Sequence, residues 1–349
     1  MSLASFWAFW TQTYPPWYGA PLTEACLPGQ AGKVFIITGG SSGIGYELTR
    51  ILYGSGAKIY MLTRSEQNAI EAISSIKAFY QDKNHGTGKQ NGSIQFIYMD
   101  LVDLATVRSA AQQFLNLEGP DGRLDVLFNN AGTAARAKAP ATKQGHEYHY
   151  GTIVLGGFLL TQLLAPFLAK TAKCSPVGSV RVVWPASILV DATPKTGIRE
   201  GFLTETTTVT DENELYSSSK TANWFVAYES ANRNRDGVVH IAGNPGCYAT
   251  NIWRDFSVIF FLAIRIFLRH PVHGAETYMF MAFSDDITFD AACAGRYVIN
   301  DGRWHPGQRQ DLLLALRKPE DGGSGRSSEC FDWCESRIAE YASPLYIAK

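Results

Sequence analysis

Tyr216 and Lys220 stand four residues apart inside Glu214–Asn232, a stretch whose pattern predicts a helix, so both side chains share one helix face. A tyrosine left alone titrates near a pKa of ~10 and is a poor acid or base at neutral pH. An ammonium beside it favours the phenolate and brings that pKa down. The pair can then hand a proton to a reacting oxygen or take one from it. The same spacing is common in purely structural helices, and its place after the fifth predicted strand is what marks this one as a site.

A second constellation lies closer to the N-terminus. The predicted strand Val34–Thr38 runs directly into Thr38-Gly39-Gly40-Ser41-Ser42-Gly43-Ile44-Gly45, and a helical pattern follows at once. Glycines at 39, 43 and 45 permit a tight turn, let backbone N–H groups approach a pyrophosphate, and let the helix pack closely on the strand. The helix N-terminus adds its partial positive charge. This strand–turn–helix context predicts a dinucleotide site, with Gly39, Ser41, Ser42, Gly43, Ile44 and Gly45 around the phosphates. The second predicted strand ends Met61-Leu62-Thr63-Arg64-Ser65. NAD binders usually place an acid there to hold the ribose hydroxyls; here Thr63 takes that place and Arg64 follows it. A guanidinium can pair bidentately with a 2′-phosphate and stack on adenine, so the expected cofactor is NADP. Tyr216 would then protonate a carbonyl oxygen while NADPH delivers hydride to its carbon.

The elements that must position these groups alternate from Lys33 onward. Val34–Thr38, Lys58–Leu62, Ile94–Met99, Leu124–Asn129, Val180–Trp184, Val238–Ala242 and Arg296–Ile299 each read as a buried strand. Helix-length segments separate them, and near-continuous apolar strands so separated signal a parallel sheet covered on both faces. The expected fold is α/β, a single doubly wound Rossmann-type domain with a parallel sheet of about seven strands. Residues 1–31 carry Pro15, Pro16, Pro21 and Pro28 and read as an arm laid over a domain spanning 32–317. Lys83–Gly92 reads as an exposed loop, 318–328 as a flexible connector, and Cys330–Tyr341 as a last amphipathic helix within a C-terminal extension, 318–349.

The spacing T-G-x-x-x-G-x-G resembles that of the short-chain dehydrogenase/reductase family, and further marks fall in order over roughly residues 32–300. Asp100-Leu101 resembles the pair that contacts adenine. Asn129-Asn130-Ala131-Gly132 resembles the family's N-N-A-G, which steadies the sheet and implies that Asn130, Ala131 and Gly132 line the cofactor cleft. Tyr216-x-x-x-Lys220 resembles the catalytic pair, with Lys220 also implied to hold the nicotinamide ribose. Asn244-Pro245-Gly246 followed by Thr250 resembles the loop that holds the nicotinamide carboxamide, which implies Pro245, Gly246 and Thr250 as cofactor contacts. Ser187 matches the carbonyl-polarising serine, within Pro185-Ala186-Ser187 where V-S-S is usual. The long stretch between Ser187 and Tyr216 resembles the retinol-dehydrogenase-like branch, and the N-terminal arm resembles those of extended fungal members that act on secondary metabolites.

One position departs from the pattern. The family's fourth catalytic residue is an asparagine in a stretch like G-T-N-x-L-G, whereas this chain reads Gly151-Thr152-Ile153-Val154-Leu155-Gly156, with no asparagine between Asn130 and Asn213. That asparagine seats a water linking the lysine to solvent. Its loss implies either slower proton supply in a carbonyl reductase or a scaffold that keeps NADP but catalyses a non-redox cyclisation, rearrangement or elimination. The two alternatives part on hydride turnover.

Composition narrows the field further. The 349 residues, 46% of them hydrophobic, suffice for a large core. Lys and Arg number 31 against 32 for Asp and Glu, a net charge of −1, without the basic excess of a nucleic-acid binder. The cysteines at 26, 174, 247, 293, 330 and 334 are scattered and read as free thiols of a cytoplasmic protein. Cys330 and Cys334 have no second pair or nearby histidine to complete a zinc site, so no metal is expected. Met1–Trp17 lacks the basic and apolar regions of a cleaved signal. Phe256–Leu268 is apolar over about 13 residues with Arg265 inside, short of the ~20 a spanning helix needs. The family resemblance implies that it lies within a mobile substrate lid, about 248–275, where its apolar character suits a bulky hydrophobic substrate, with weak contact to a membrane surface as the alternative. A monomer or homodimer is expected.

Overall fold

The computed structural model describes residues 3–83, 91–134, 139–234, 236–250, 265 and 268–346. Eight strands form one sheet: β1 Val34–Thr38, β2 Lys58–Thr63, β3 Ser93–Tyr98, β4 Val126–Phe128, β5 Arg181–Pro185, β6 Val239–Gly243, β7 Tyr297–Ile299 and β8 Arg303–Trp304. Their spatial order is β3-β2-β1-β4-β5-β6-β7-β8. The first seven are parallel, as their apolar runs predict, and β8 adds a short antiparallel edge on β7. Two residues are too few for a periodic signal, which is why the sequence suggests about seven strands and the sheet has eight.

Helices cover both faces. One face carries α4 (Leu104–Glu118), α5 (Gly156–Lys173) and α6 (Glu212–Arg233), packed over Ile36, Leu127, Val182 and Trp184. The other carries α2 (Gly43–Gly54), α3 (Glu66–Lys83) and α7 (Val272–Phe283), packed over Phe35, Ile37, Phe128 and Ile241. Every residue of β1 is buried, as a strand sandwiched between helix layers requires. The strand order reverses between β1 and β4, and the crevice beyond the carboxyl ends of those strands is the binding position of such a sheet.

Residues 3–13 form a helix, α1 (Leu3–Thr13), ahead of the prolines that mark the arm. Residues 318–328 are more ordered than a flexible connector. Pro319–Asp321 makes a 3-10 turn, and the N–H groups of Gly323, Ser324 and Gly325 bond to the carbonyls of Lys318, Leu314 and Arg317. Gly322 and Gly325 take the positive φ angles that fold this stretch back on the preceding helix, so glycine serves turn geometry here rather than flexibility. The final helix spans Arg326–Ile338 and buries Cys330, Phe331, Cys334 and Ile338. Among the described residues the six cysteines form no disulfide. The exposed loop expected around Lys83–Gly92 falls, for 84–90, outside the described residues. Among the described residues one helix is long and apolar enough to cross a membrane, Tyr150–Lys173, and 78% of its most apolar window is buried within the fold.

Candidate functional site

A cleft of about 620 Å³ opens at the β1/β4 switch point and runs from Arg64, Ser65 and Asn68 past the glycine turn to Ser187, Tyr216 and Lys220. At the turn, Gly43 adopts φ +57°, and a Cβ on Gly45 would stand 2.3 Å from the Gly39 carbonyl oxygen. Only glycine allows this approach. Ser42 caps α2 from extended backbone without a side-chain bond, and first-turn N–H groups have no intrahelical acceptors. The helix N-terminus with Ser41, Ser42, Gly43 and Ile44 on the cleft wall therefore suits a pyrophosphate. Asn130 braces the turn, its Nδ2 donating to the carbonyls of Thr38 at 2.8 Å and Gly39 at 3.3 Å. The Ala131 N–H donates to Thr38 Oγ1 at 2.8 Å.

The rim beyond the turn is wet. Arg64 is exposed, and the Thr63 hydroxyl lies 3.3 Å from that of Ser41. Asp100 and Leu101 line the same end. The Asp100 carboxylate accepts from the Val102 N–H at 3.1 Å, and its backbone is held by Thr106, which accepts from the Asp100 N–H at 3.0 Å and donates to the carbonyl at 2.7 Å.

The opposite end is dry. Helix α6 begins at Asp211, whose carboxylate accepts from the N–H groups of Asn213 and Glu214 at 2.9 and 3.0 Å. Four of its buried hydroxyls, Ser217, Ser218, Ser219 and Thr221, bond to carbonyls of their own helix, so these four cross the core with partners. That burial fixes Tyr216 and Lys220 on the cleft. Lys220 Nζ sits 5.8 Å from the Tyr216 ring centroid and donates to the Pro185 carbonyl at 3.4 Å. The lysine four residues on predicts a lowered tyrosine pKa, but desolvation outweighs it and pushes the Tyr216 phenol up to about 12, opposed by a hydrogen bond with Ser187. Desolvation also pulls Lys220 down to about 8. Ser187 caps a 3-10 turn, Ile188–Ala192, through the Leu189 N–H, 3.2 Å from its Oγ.

The structure thus brings Ser187, Tyr216 and Lys220 to one wall and places Gly39, Gly132, Pro245, Gly246 and Thr250 along the same cleft. Several contributors had no sequence reading. Tyr297 clamps Ser187: its Oη accepts from the Ser187 N–H at 3.1 Å and donates to the Ser187 carbonyl at 2.9 Å. Asn223 donates to the Pro185 carbonyl at 2.9 Å, and its position three residues after Lys220 on one helix face is a signal that could have found it. Tyr148 and Thr152 also line the cleft, four apart, Thr152 Oγ1 donating to the Tyr148 carbonyl at 2.6 Å.

Ile153, at the position of the family's asparagine, is a core residue. Tyr150–Leu155 is a π-helical turn leading into α5, a feature that occurs frequently at functional sites. Within it Thr152 faces the cleft, while Ile153 is 4% exposed and packs in the core. Of the expected lid, about 248–275, residues 251–264, 266 and 267 fall outside the described residues.

A doubly wound sheet with a glycine turn at its switch point, and a tyrosine and lysine four apart on the facing helix, defines a dinucleotide-dependent oxidoreductase architecture. Residues 33–180 match the family model described as short chain dehydrogenase. A short-chain dehydrogenase/reductase of Phomopsis amygdali is 38% identical over 340 residues, covering 95% of this chain and 96% of that protein. One from Neocamarosporium betae is 35% identical over 344 residues, covering 96% and 94%. The chain belongs to the short-chain dehydrogenase/reductase family. In fold it is similar to Pseudomonas aeruginosa RhlG, solved as an NADP active-site complex, with a TM-score of 0.57 and 23% identity over 79% of this chain and 98% of that one.

Proposed function

We propose that this protein is an NADPH-dependent oxidoreductase that interconverts a carbonyl and an alcohol on a bulky hydrophobic small molecule, in fungal secondary metabolism. The observation that carries the reading is the convergence of Ser187, Tyr216 and Lys220 on one cleft, continuous with the glycine turn and with Arg64 at the rim. The residues present fit the cofactor: the uncapped N-terminus of α2 for the pyrophosphate, Arg64 for a 2′-phosphate, Asp100 and Leu101 for adenine, Asn130, Ala131 and Gly132 along the middle, and Pro245, Gly246 and Thr250 for the carboxamide end. The NADP complex of the fold neighbour RhlG supports the same choice of nucleotide.

When bound, NADPH supplies the hydride. Tyr216 Oη donates the proton to the carbonyl oxygen, and the Ser187 hydroxyl shares that oxygen and polarises it. Lys220 holds positive charge next to the phenol, which stabilises the phenolate left behind. The Pro185 carbonyl orients the ammonium, Asn223 holds that carbonyl, and Tyr297 holds Ser187 still.

We read the enzyme as a cytoplasmic monomer or homodimer, with weak contact to a membrane surface as the alternative role of the apolar sequence 256–268. The test is loss of reduced-nicotinamide absorbance across a panel of hydrophobic ketones and aldehydes. Oxidation of NADPH in preference to NADH is expected. Conversion of a substrate at constant NADP, with no ketone or aldehyde reduced, would replace this reading with the non-redox scaffold.

A further inference from the structure

The Gln12 side chain of helix α1 lies behind the chemical end of the cleft, against loops that line it. Gln12 is 5% exposed, and its amide spans two loops that leave the carboxyl edge of the sheet. Its Oε1 accepts from Asn244 Nδ2 at 3.0 Å. Its Nε2 donates to Asp191 Oδ2 at 2.6 Å and, more weakly, to the Ala8 carbonyl of its own helix at 3.3 Å.

Each partner is one step from the site. Asn244 follows β6, and its Oδ1 accepts from the Gly246 N–H at 2.9 Å; the Asn244 side chain therefore sets the Pro245-Gly246 turn that lines the cleft. Asp191 lies in the 3-10 turn capped by Ser187, and its carboxylate also meets His305 Nε2 at 3.1 Å. The end of α1 is held in place independently, by Arg303 Nη2 donating to the Thr11 carbonyl at 2.6 Å.

We propose that Gln12 is a positioning residue that staples the Asn244–Gly246 turn to the Ser187–Asp191 turn and so sets where the nicotinamide end of the cofactor rests. This rests on the cofactor reading above. Asn244 Nδ2 has Gln12 as its acceptor in a buried position, so removing that amide frees the Asn244 side chain to rotate and releases the Gly246 N–H. A buried polar group stripped of its partner is costly, and the turn relaxes to find another. The glycine turn and Arg64 share no bond with this staple, so the adenine end of the cleft stays as it is.

The experiment titrates NADPH and, separately, adenosine 2′,5′-bisphosphate, which carries the adenine-end contacts without a nicotinamide, into wild type and three variants. Gln12→Ala should weaken NADPH by about tenfold, the equilibrium equivalent of one lost hydrogen bond, and leave the bisphosphate unchanged. Gln12→Glu should weaken NADPH further, because it sets a carboxylate against that of Asp191. Gln12→Glu combined with Asp191→Asn should recover most of the loss by restoring a donor opposite an acceptor. Melting temperatures taken alongside identify any variant that fails to fold, and the double variant keeps the test alive in that case. Unchanged NADPH affinity in Gln12→Ala overturns the proposal, as does equal loss of both ligands or a double variant no better than Gln12→Glu. Wild type that binds neither ligand overturns the cofactor reading itself, and that result appears before any substitution is made.

Discussion

The two ends of the cleft are built by different means. Around Arg64 and the glycine turn, the working groups are backbone N–H groups and an exposed guanidinium, supplied by two short stretches and braced by Asn130. Around half-buried Tyr216 and buried Lys220 the contacts that hold the neighbouring groups come from distant parts of the chain: Tyr297 on Ser187, Gln12 on Asn244. A solvated guanidinium can contribute affinity for a phosphate without any help from burial. A buried ammonium has its proton affinity changed by the scaffold, and Lys220 is pulled down to about 8. Binding can be assembled locally at a surface; acid–base chemistry needs the dry interior that only the whole fold provides.

The sharpest way to break this contrast is Tyr216→Phe. It removes one hydroxyl from the dry end, so carbonyl reduction should fall by about 10²–10⁴-fold, the range of positioned acid catalysis, with NADPH affinity and melting temperature close to wild type. More than about a tenth of the original rate would remove Tyr216 from the proton-donor role. Arg64→Ala probes the wet end and should do the reverse. It should weaken NADP(H) by on the order of 1.5–3 kcal/mol, the worth of hydrogen bonds to a charged group, leave NAD(H) nearly untouched, and preserve the rate once cofactor saturates. Calorimetry with both cofactors decides it.

The pH dependence should also belong to the dry end alone. Below about 8 Lys220 is charged; as pH rises through that value the ammonium loses its proton, along with the charge that supports the Tyr216 phenolate. kcat/KM for reduction should therefore be flat below pH 8 and fall above it, by up to about tenfold per pH unit for one titrating group. Stability should move in the opposite sense. The unfolded chain, with lysine near its ordinary 10.5, binds more protons than the folded one between about 8 and 10.5, so the Lys220 contribution to stability rises with pH across that window. Lys220→Met should flatten the stability trend, read as melting temperature against pH without cofactor.

How far each end was legible in the sequence follows from the same contrast. The glycine turn and its flanking strands are contiguous, so spacing and apolar runs expose them; β1 was read at the residues it occupies. Strand β4 is shorter than Leu124–Asn129, and at its start the Leu124 N–H bonds to Thr171 Oγ1 instead of entering the ladder. The supports of the chemical end leave no such trace. Gln12 and Asn244 lie 232 residues apart, Tyr297 and Ser187 lie 110 apart, and no local pattern joins them. Helix α1 was hidden by the prolines that follow it, which made the whole segment read as an arm. The π-helical turn at Tyr150–Leu155 was equally hidden, because its widened geometry rotates residues away from the faces a 3.6-residue period assigns.

That rotation changes what to expect at residue 153, the smallest effect of the series. From sequence, Ile153→Asn promises to restore a polar anchor and to extend carbonyl reduction to higher pH. In the structure Ile153 packs among core side chains, and Thr152 is the member of that turn facing the cleft. An amide in place of Ile153 would meet an apolar cluster that includes Val154, Leu155 and Phe158, and a buried polar group without partners costs roughly 1–3 kcal/mol. The expected outcome is a lower melting temperature, with kcat and its pH profile close to wild type. The contrast case is Thr152→Val, which removes a hydroxyl from the cleft wall without adding a buried amide and should change the rate more than the stability. If Ile153→Asn instead raises turnover above pH 8 and leaves melting unchanged, the amide reaches the proton path. The chemical end would then extend one residue deeper than the cleft wall shows.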